Sequence, residues 1–242
     1  HHRYRADGIL IPVLRQALSV VSYCIMDITC FKVKFGQLEH LQLLQKGTVY
    51  CSTLKYFTEL EDGKTRGDED ENAFDFKTFN NPELLIKPAN DPKAEYKKLN
   101  ANWVQMVSRN SNIHGNLLCL HCVDVTLAET EGILEIDEKN GEFGSHVLVL
   151  LNTAEFEERV YDELEKRKMK FACGPVEYID LKNYTVRKSL FQKDLKYSYQ
   201  NEFRIVIDSN LQTPLLLDIG DISSISKIYE FNKFKRLLFK RP

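Results

Sequence analysis

The chain has no surplus of either charge. It carries 33 Lys and Arg against 35 Asp and Glu, a formal net charge of -2. That balance argues against a dedicated nucleic-acid binder working by bulk electrostatics, and leaves room only for a local patch. Cysteine is sparse: six in 242 residues, scattered singly without the density of a secreted disulfide scaffold. The expectation is reduced thiols in a cytosolic protein. A long apolar run is also missing. Residues 9–26 come nearest, but Pro12, Arg15, Gln16, Ser19 and Ser22 interrupt them, and a spanning helix needs about twenty mostly apolar residues. A buried helix and then a strand over 22–30 fit better, and no membrane role is expected. No secretory signal is recognisable, and His1-His2 reads as a purification-tag remnant. Residues 1–12 are therefore taken as tag or loose arm. With no internal repeat and no low-complexity linker, 13–242 reads as a single α+β domain.

What is present is short-range alternation. Residues 31–35 (Phe-Lys-Val-Lys-Phe) alternate as a strand. Residues 37–46 space Leu38, Leu41 and Leu44 as an amphipathic helix, which Gly47 is placed to end. A strand over 48–54 puts Val49 and Cys51 on one face and Tyr50 and Ser52 on the other. Residues 59–72 read as an exposed charged loop, and 80–93 as irregular connection with a short helix at 93–99. Further strands are expected at 103–107, 116–125, 144–151 and 176–181. The best-marked helix spans 153–171, with Asn152 as cap, acids first, bases last, and Phe156, Val160 and Leu164 as its buried stripe. Residues 188–195 read as a connector, 215–217 and 225–229 as closing strands, and 233–241 as a basic end. Many short strands and one long helix predict a split, mostly antiparallel sheet.

Three stretches could carry chemistry. Residues 197–208 alternate: Tyr199, Phe203, Ile205 and Ile207 fall on one side, Gln200, Glu202 and Arg204 on the other. The polar row is either a set of reacting groups on a stiff mount or a solvated face laced with charge pairs. Cys119-Leu120-His121-Cys122 has the spacing of half a zinc site. No second pair completes it, so these are expected to be strand cysteines without metal. Arg66-Gly67-Asp68-Glu69-Asp70-Glu71 gathers four acids, which suggests either a Mg²⁺-dependent nuclease site built on Asp68 to Glu71 or a solvated charge run.

In chain order, Phe35-Gly36 before the helix, Tyr50-Cys51-Ser52-Thr53 after it, and Gln200-Asn201-Glu202 far downstream resemble the ADP-ribosyltransferase superfamily. The chain is also similar to a widespread bacterial family sharing Phe-Gly, an Arg-Gly-Asp loop and a Tyr-x-x-Glu-x-Arg strand. The resemblance implies an ADP-ribosyltransferase-like fold and NAD as substrate. It also implies transfer to an unknown protein or nucleic-acid acceptor, or NAD glycohydrolysis, as in a bacterial toxin or phage-defence effector. It makes Glu202 the carboxylate that stabilises an oxocarbenium ion, Gln200 the residue that positions the acceptor, and Ser52 a brace for Glu202. Tyr50 or Tyr56 would stack on nicotinamide, and Gly36 would belong to the NAD-binding set. The chain departs at Phe35, where the transferases place His or Arg, which leaves Arg66, Lys34 or Arg204 as phosphate partner. A non-catalytic module that keeps the fold and binds a nucleotide or a protein is the alternative that Phe35 favours.

Overall fold

The computed structural model describes residues 30–59, 70–110, 113–124, 133–183, 185–234 and 236–238. The expected elements over 9–29, together with Arg66, Asp68 and Glu69, lie outside the described residues. Eight strands form the central sheet: β1 (Cys30–Gly36), β2 (Thr48–Thr53), β3 (Asn116–Asp124), β4 (His146–Leu150), β5 (Phe171–Pro175), β6 (Glu202–Ile207), β7 (Leu215–Asp218) and β8 (Ser226–Glu230). Their order is β5-β6-β3-β1-β4-β8, with β2 against β3 and β7 against β2. All these pairings are antiparallel. The molecule is mixed α+β, and the one parallel pair among the described residues joins Glu177–Ile179 to Gln192–Asp194 outside this sheet.

β3 carries different neighbours along one edge. Ser52 and Thr53 of β2 pair with Leu117 and Asn116, while Val33 of β1 pairs with His121. On that edge residues 118–120 pair with neither strand, because β1 and β2 diverge there and α1 (Leu38–Gln45) connects them. The sheet is split at this point. Lys34 reaches into the split and donates its Nζ to the Cys119 carbonyl at 2.6 Å.

Alternation along the strands divides the two faces. On one, α1 and α2 (Thr153–Lys166) bring Leu41, Leu44, Phe156, Val160 and Leu164 onto Leu118, Leu120, Leu148, Phe203, Ile205 and Ile207. Burying side chains of this size contributes about 1.5–3 kcal/mol each. On the other face lie two smaller clusters. One gathers Val33, Phe35, Val123, Val147 and Val149 with Phe231 and Phe234 of the short helix at Phe231–Phe234. The second gathers Leu54, Leu117 and Val206. Glu202 and Arg204 of β6 lie on this second face, on the strand flanking both.

Several expectations need correction. The strand expected at 197–208 begins only at Glu202. Leu195–Gln200 is a 3₁₀ helix, started by the Asp194 side chain accepting from the Lys196 amide and ended by Asn201 in the left-handed region at φ 37°. The helix expected to reach 171 ends at Lys166. Lys168 turns left-handed at φ 57°, and the Lys168 and Met169 amides donate to the Glu165 and Leu164 carbonyls. That is a Schellman closure without the usual glycine, so no sequence signal marks it. In place of the helix at 93–99, Glu83–Ile86 pairs with Lys97–Asn100. The strand Ala73–Asn80, unexpected from sequence, pairs with Trp103–Arg109 and carries exposed Phe74 and Phe79. Short strands also occur at Gln192–Asp194 and Arg236–Leu238, where a connector and a solvated or helical end were expected. Among the described residues no helix is long and apolar enough to cross a membrane.

Gly47 ends α1 as expected, at φ 100°. A Cβ there would lie 2.3 Å from the Gly220 carbonyl oxygen, whereas one at Gly220 (φ 72°) would meet nothing within 4 Å. Gly47→Ala is therefore expected to cost about 2 kcal/mol or more, combining left-handed strain with a backbone clash. Gly220→Ala should cost about 1 kcal/mol, from strain alone. Urea denaturation of both variants gives the comparison; equal losses would contradict the close approach.

Candidate functional site

The polar face of β6 is buried, not solvated. Arg204 is 1% exposed and Glu71, from the acidic run, 2% exposed. Arg204 donates Nη1 to Glu71 Oε1 at 2.6 Å and Nη2 to Glu71 Oε2 at 3.0 Å. Its Nη1 also donates to the Leu190 carbonyl, and its Nε and Nη2 each reach Glu202 Oε2 at 3.0 Å. A guanidinium has five N–H donors, and these five contacts use them all. Lys193, also buried, bridges Glu202 Oε2 at 3.1 Å and Gln200 Oε1 at 2.8 Å. Two carboxylates and two cations pair here, and the buried Lys188, donating to the Asp70 carbonyl at 2.9 Å, also favours the Glu71 anion; pairing is the condition under which charge can be buried at tolerable cost.

Glu202 is held unevenly. Arg204 and Lys193 both make their close contacts with Oε2. Its amide donates to Tyr178 Oη at 2.9 Å, which fixes the strand's first residue. Burial pushes the Glu202 carboxyl up, but Arg204, Lys193 and a hydrogen bond from the Cys119 thiol outweigh it and bring it to about 2. It is a carboxylate at every physiological pH. Burial likewise opposes ionisation of Glu71, and Arg204 overcomes it.

His121 stands directly opposite Glu202 in the β3–β6 register. Its Nδ1 lies 2.6 Å from the Gln200 carbonyl. A carbonyl only accepts, so Nδ1 carries the proton and Nε2 is the lone-pair nitrogen. Burial lowers its ionisation to about 4 against the partial counterweight of Gln200 and Glu202, so the ring is neutral at pH 7. Phe35 meets it edge-on, with ring centroids 5.2 Å apart. Lys34, Phe35, Cys119, His121, Gln200 and Glu202 are among the residues that line a small, partly open cavity of about 60 Å³ beside the split. That volume holds a few waters and is well below the several hundred Å³ of a usual ligand pocket.

The structure thus gathers Glu202, Gln200 and Arg204 with Phe35 and Lys34. It does not bring Ser52 to Glu202. Ser52 pairs with Leu117, four residues along β3 from His121, an offset of roughly 13 Å along the strand, so it cannot brace the carboxylate. Tyr50 and Tyr56 are exposed (57% and 45%) and do not line the cavity. Gly36 pairs with His146 and lies beneath Gly144, where a Cβ on Gly144 would overlap its backbone. Arg204 has no donor left for a phosphate. In the acidic run, Glu71 is spent on Arg204 and Asp70 on Arg109 at 2.8 Å, so neither is an open Mg²⁺ ligand. No group of three or more metal-ligating side chains occurs among the described residues. Cys119 and Cys122 are strand residues, and their offset of three turns them to opposite faces. Cys119 meets Glu202 while Cys122 hydrogen-bonds Cys30. Sequence reading missed Lys193 as a partner of Glu202, Glu71 as the partner of Arg204, and His121 as the residue across the ladder from Glu202. For Glu71 alone a signal existed, since it is the last acid before an apolar strand. Comparison with protein-family models, curated proteins and solved structures gave no match.

Removing Arg204 strands two buried carboxylates. Arg204→Met is expected to lose about 3–5 kcal/mol of unfolding free energy, where a surface pair would lose less than about 1. Urea denaturation at pH 7 distinguishes the two.

The pH dependence follows from the signs. His121 binds its proton less readily folded than unfolded, so stability is lost as pH falls from about 6.5 to about 4, by about 2–3 kcal/mol. Glu202, lowered from 4.5 to about 2, adds a further loss below pH 4.5. His121→Asn should flatten only the upper window. A stability difference between wild type and variant that stays constant from pH 7 to 4 would contradict the buried neutral ring.

Proposed function

We propose that the chain cleaves the N-glycosidic bond of NAD⁺, as an ADP-ribosyltransferase or NAD⁺ glycohydrolase of the toxin or phage-defence kind, with Glu202 as the working carboxylate. One observation carries this reading. Arg204 and Lys193 hold Glu202 through Oε2, in an ionised state, while Glu202 borders the cavity at the split. Cleaving the bond between nicotinamide and ribose develops an oxocarbenium ion, and a fixed carboxylate beside C1′ stabilises it without reorganising. The cavity takes water rather than a dinucleotide, so in this reading the ribose meets Glu202 at the cavity mouth. Phe35 supplies an apolar wall there in place of a phosphate-binding side chain. Gln200 is clamped by Lys193 and so held beside Glu202.

A second reading, a non-catalytic nucleotide- or protein-binding module, is favoured by the complete internal use of Arg204 and by the cavity's small volume. A thermal shift with nucleotide but no turnover would select it.

Two variants test the catalytic reading. Glu202→Gln uncovers the buried Lys193 charge, so the swap that looks nearly isosteric in sequence is expected to lower stability measurably. Glu202→Asp keeps the charge but draws the oxygens back. Both should reduce NAD⁺ consumption about a hundredfold or more, with Glu202→Asp nearer wild type in melting temperature. Full NAD⁺ turnover in a folded Glu202→Asp or Glu202→Gln protein would remove Glu202 from the chemistry.

A further inference from the structure

We infer that His121 is the general base of this site, taking a proton from a water held in the cavity it shares with Glu202, so that the acceptor is water and the reaction is hydrolysis. The inference rests on the reading of Glu202 above and goes beyond it by naming the acceptor.

Position supports it first. His121 and Glu202 are directly opposed on neighbouring antiparallel strands, which sets their Cβ atoms about 4.5–5.5 Å apart. A water between the two would lie within reach of both side chains. The tautomer supports it next: Nδ1 is committed to the Gln200 carbonyl, so Nε2 is the accepting atom. The ring is also held in orientation by Phe35. Elimination narrows the choice among the described lining residues. Lys34 is a donor committed to the Cys119 carbonyl. The Cys119 thiol is pushed well up by burial and stays protonated. Gln200 is tied to Lys193 and to the Tyr199 hydroxyl. Besides the Glu202 carboxylate, His121 is the remaining base, and it is unprotonated at neutral pH. The charged groups around it are Glu202 on β6, Lys34 on β1, and Lys193 behind Glu202. Finally, about 60 Å³ admits water but neither a protein side chain on its loop nor a nucleobase.

The step balances without another reactant. The water oxygen bonds to C1′ while the C1′–N bond breaks, and its electron pair returns to the nicotinamide ring, which leaves neutral. The water proton passes to His121 Nε2 and then to solvent. The products are ADP-ribose, nicotinamide and one proton.

The test compares wild type, His121→Ala and Glu202→Gln on NAD⁺, with and without sodium azide, an anionic nucleophile that needs no base. His121→Asn serves in place of His121→Ala if the latter does not fold. Wild type is expected to yield free ADP-ribose, at a rate that falls as pH drops through about 4. The His121 variant should lose about 10²–10⁴-fold in kcat and lose that acid limb. Azide should restore its turnover as the ADP-ribosyl azide, and should not restore Glu202→Gln. Three results would overturn the inference while leaving Glu202 in place: a His121 variant as fast as wild type, a loss that azide does not rescue, or wild-type transfer to a macromolecule with no free ADP-ribose. A wild-type protein inert towards NAD⁺ would remove the Glu202 reading and this inference together.

Discussion

The guanidinium of Arg204 is the group around which this structure has to be arranged. An ion of that size costs several kcal/mol to take out of water even after relaxation. The fold meets the cost with two carboxylates and a carbonyl, so that each N–H has an acceptor. Those acceptors come from distant parts of the chain: Glu71 from the turn before Ala73–Asn80, Leu190 from the segment before Gln192–Asp194, and Glu202 from the start of β6. One side chain thereby ties two peripheral segments to the central sheet. Once Glu202 is committed on Oε2, Lys193 can be buried against it, and Lys193 in turn holds Gln200.

The same constraint explains why the sheet's two faces differ. The helix side is a continuous apolar core, in which the buried cation Lys32 is neutralised by Glu157 and lies 3.5 Å from the Phe203 ring centroid. The opposite face cannot be continuous, because Arg204, Glu202 and their partners occupy part of it. Its apolar residues are accordingly divided into clusters around Val33 and around Leu117. The cavity lies beside this polar ground, where the divergence of β1 and β2 leaves the edge of β3 open. The cavity bordered by Glu202 is thus a consequence of burying charge next to a break in a sheet.

Electrostatics also sets the two opposed residues apart. Glu202 and His121 face each other in the same low-dielectric setting, yet one is held charged and the other neutral. The difference lies in their partners. Glu202 has two cations within hydrogen-bonding distance, whereas His121 has a backbone carbonyl and an aromatic edge. An anion beside a neutral base is a pairing that enzymes use to stabilise a developing cation and to remove a proton in the same step.

Local order was legible in the sequence wherever period and punctuation agreed. The strand at Phe31 to Phe35, the Leu38-Leu41-Leu44 helix with Gly47 behind it, the Asn152 cap and the facing of Phe203, Ile205 and Ile207 all follow from neighbours a few residues apart. The alternation of Tyr197 and Tyr199 misled for the same reason, since a period of two cannot register the turn that Asp194 and Asn201 impose. The Schellman closure at Lys168 was equally invisible without a glycine. What the polar face of β6 does was decided by tertiary structure alone. Glu202 and Arg204 read identically in sequence whether they meet water or meet Lys193 and Glu71, because their burial is set by partners 9 and 133 residues away. The sequence by itself determined which residues share a face; only the folded chain decided that this face is buried and its charges paired. Local spacing determines direction, whereas the dielectric around a side chain depends on everything packed above it.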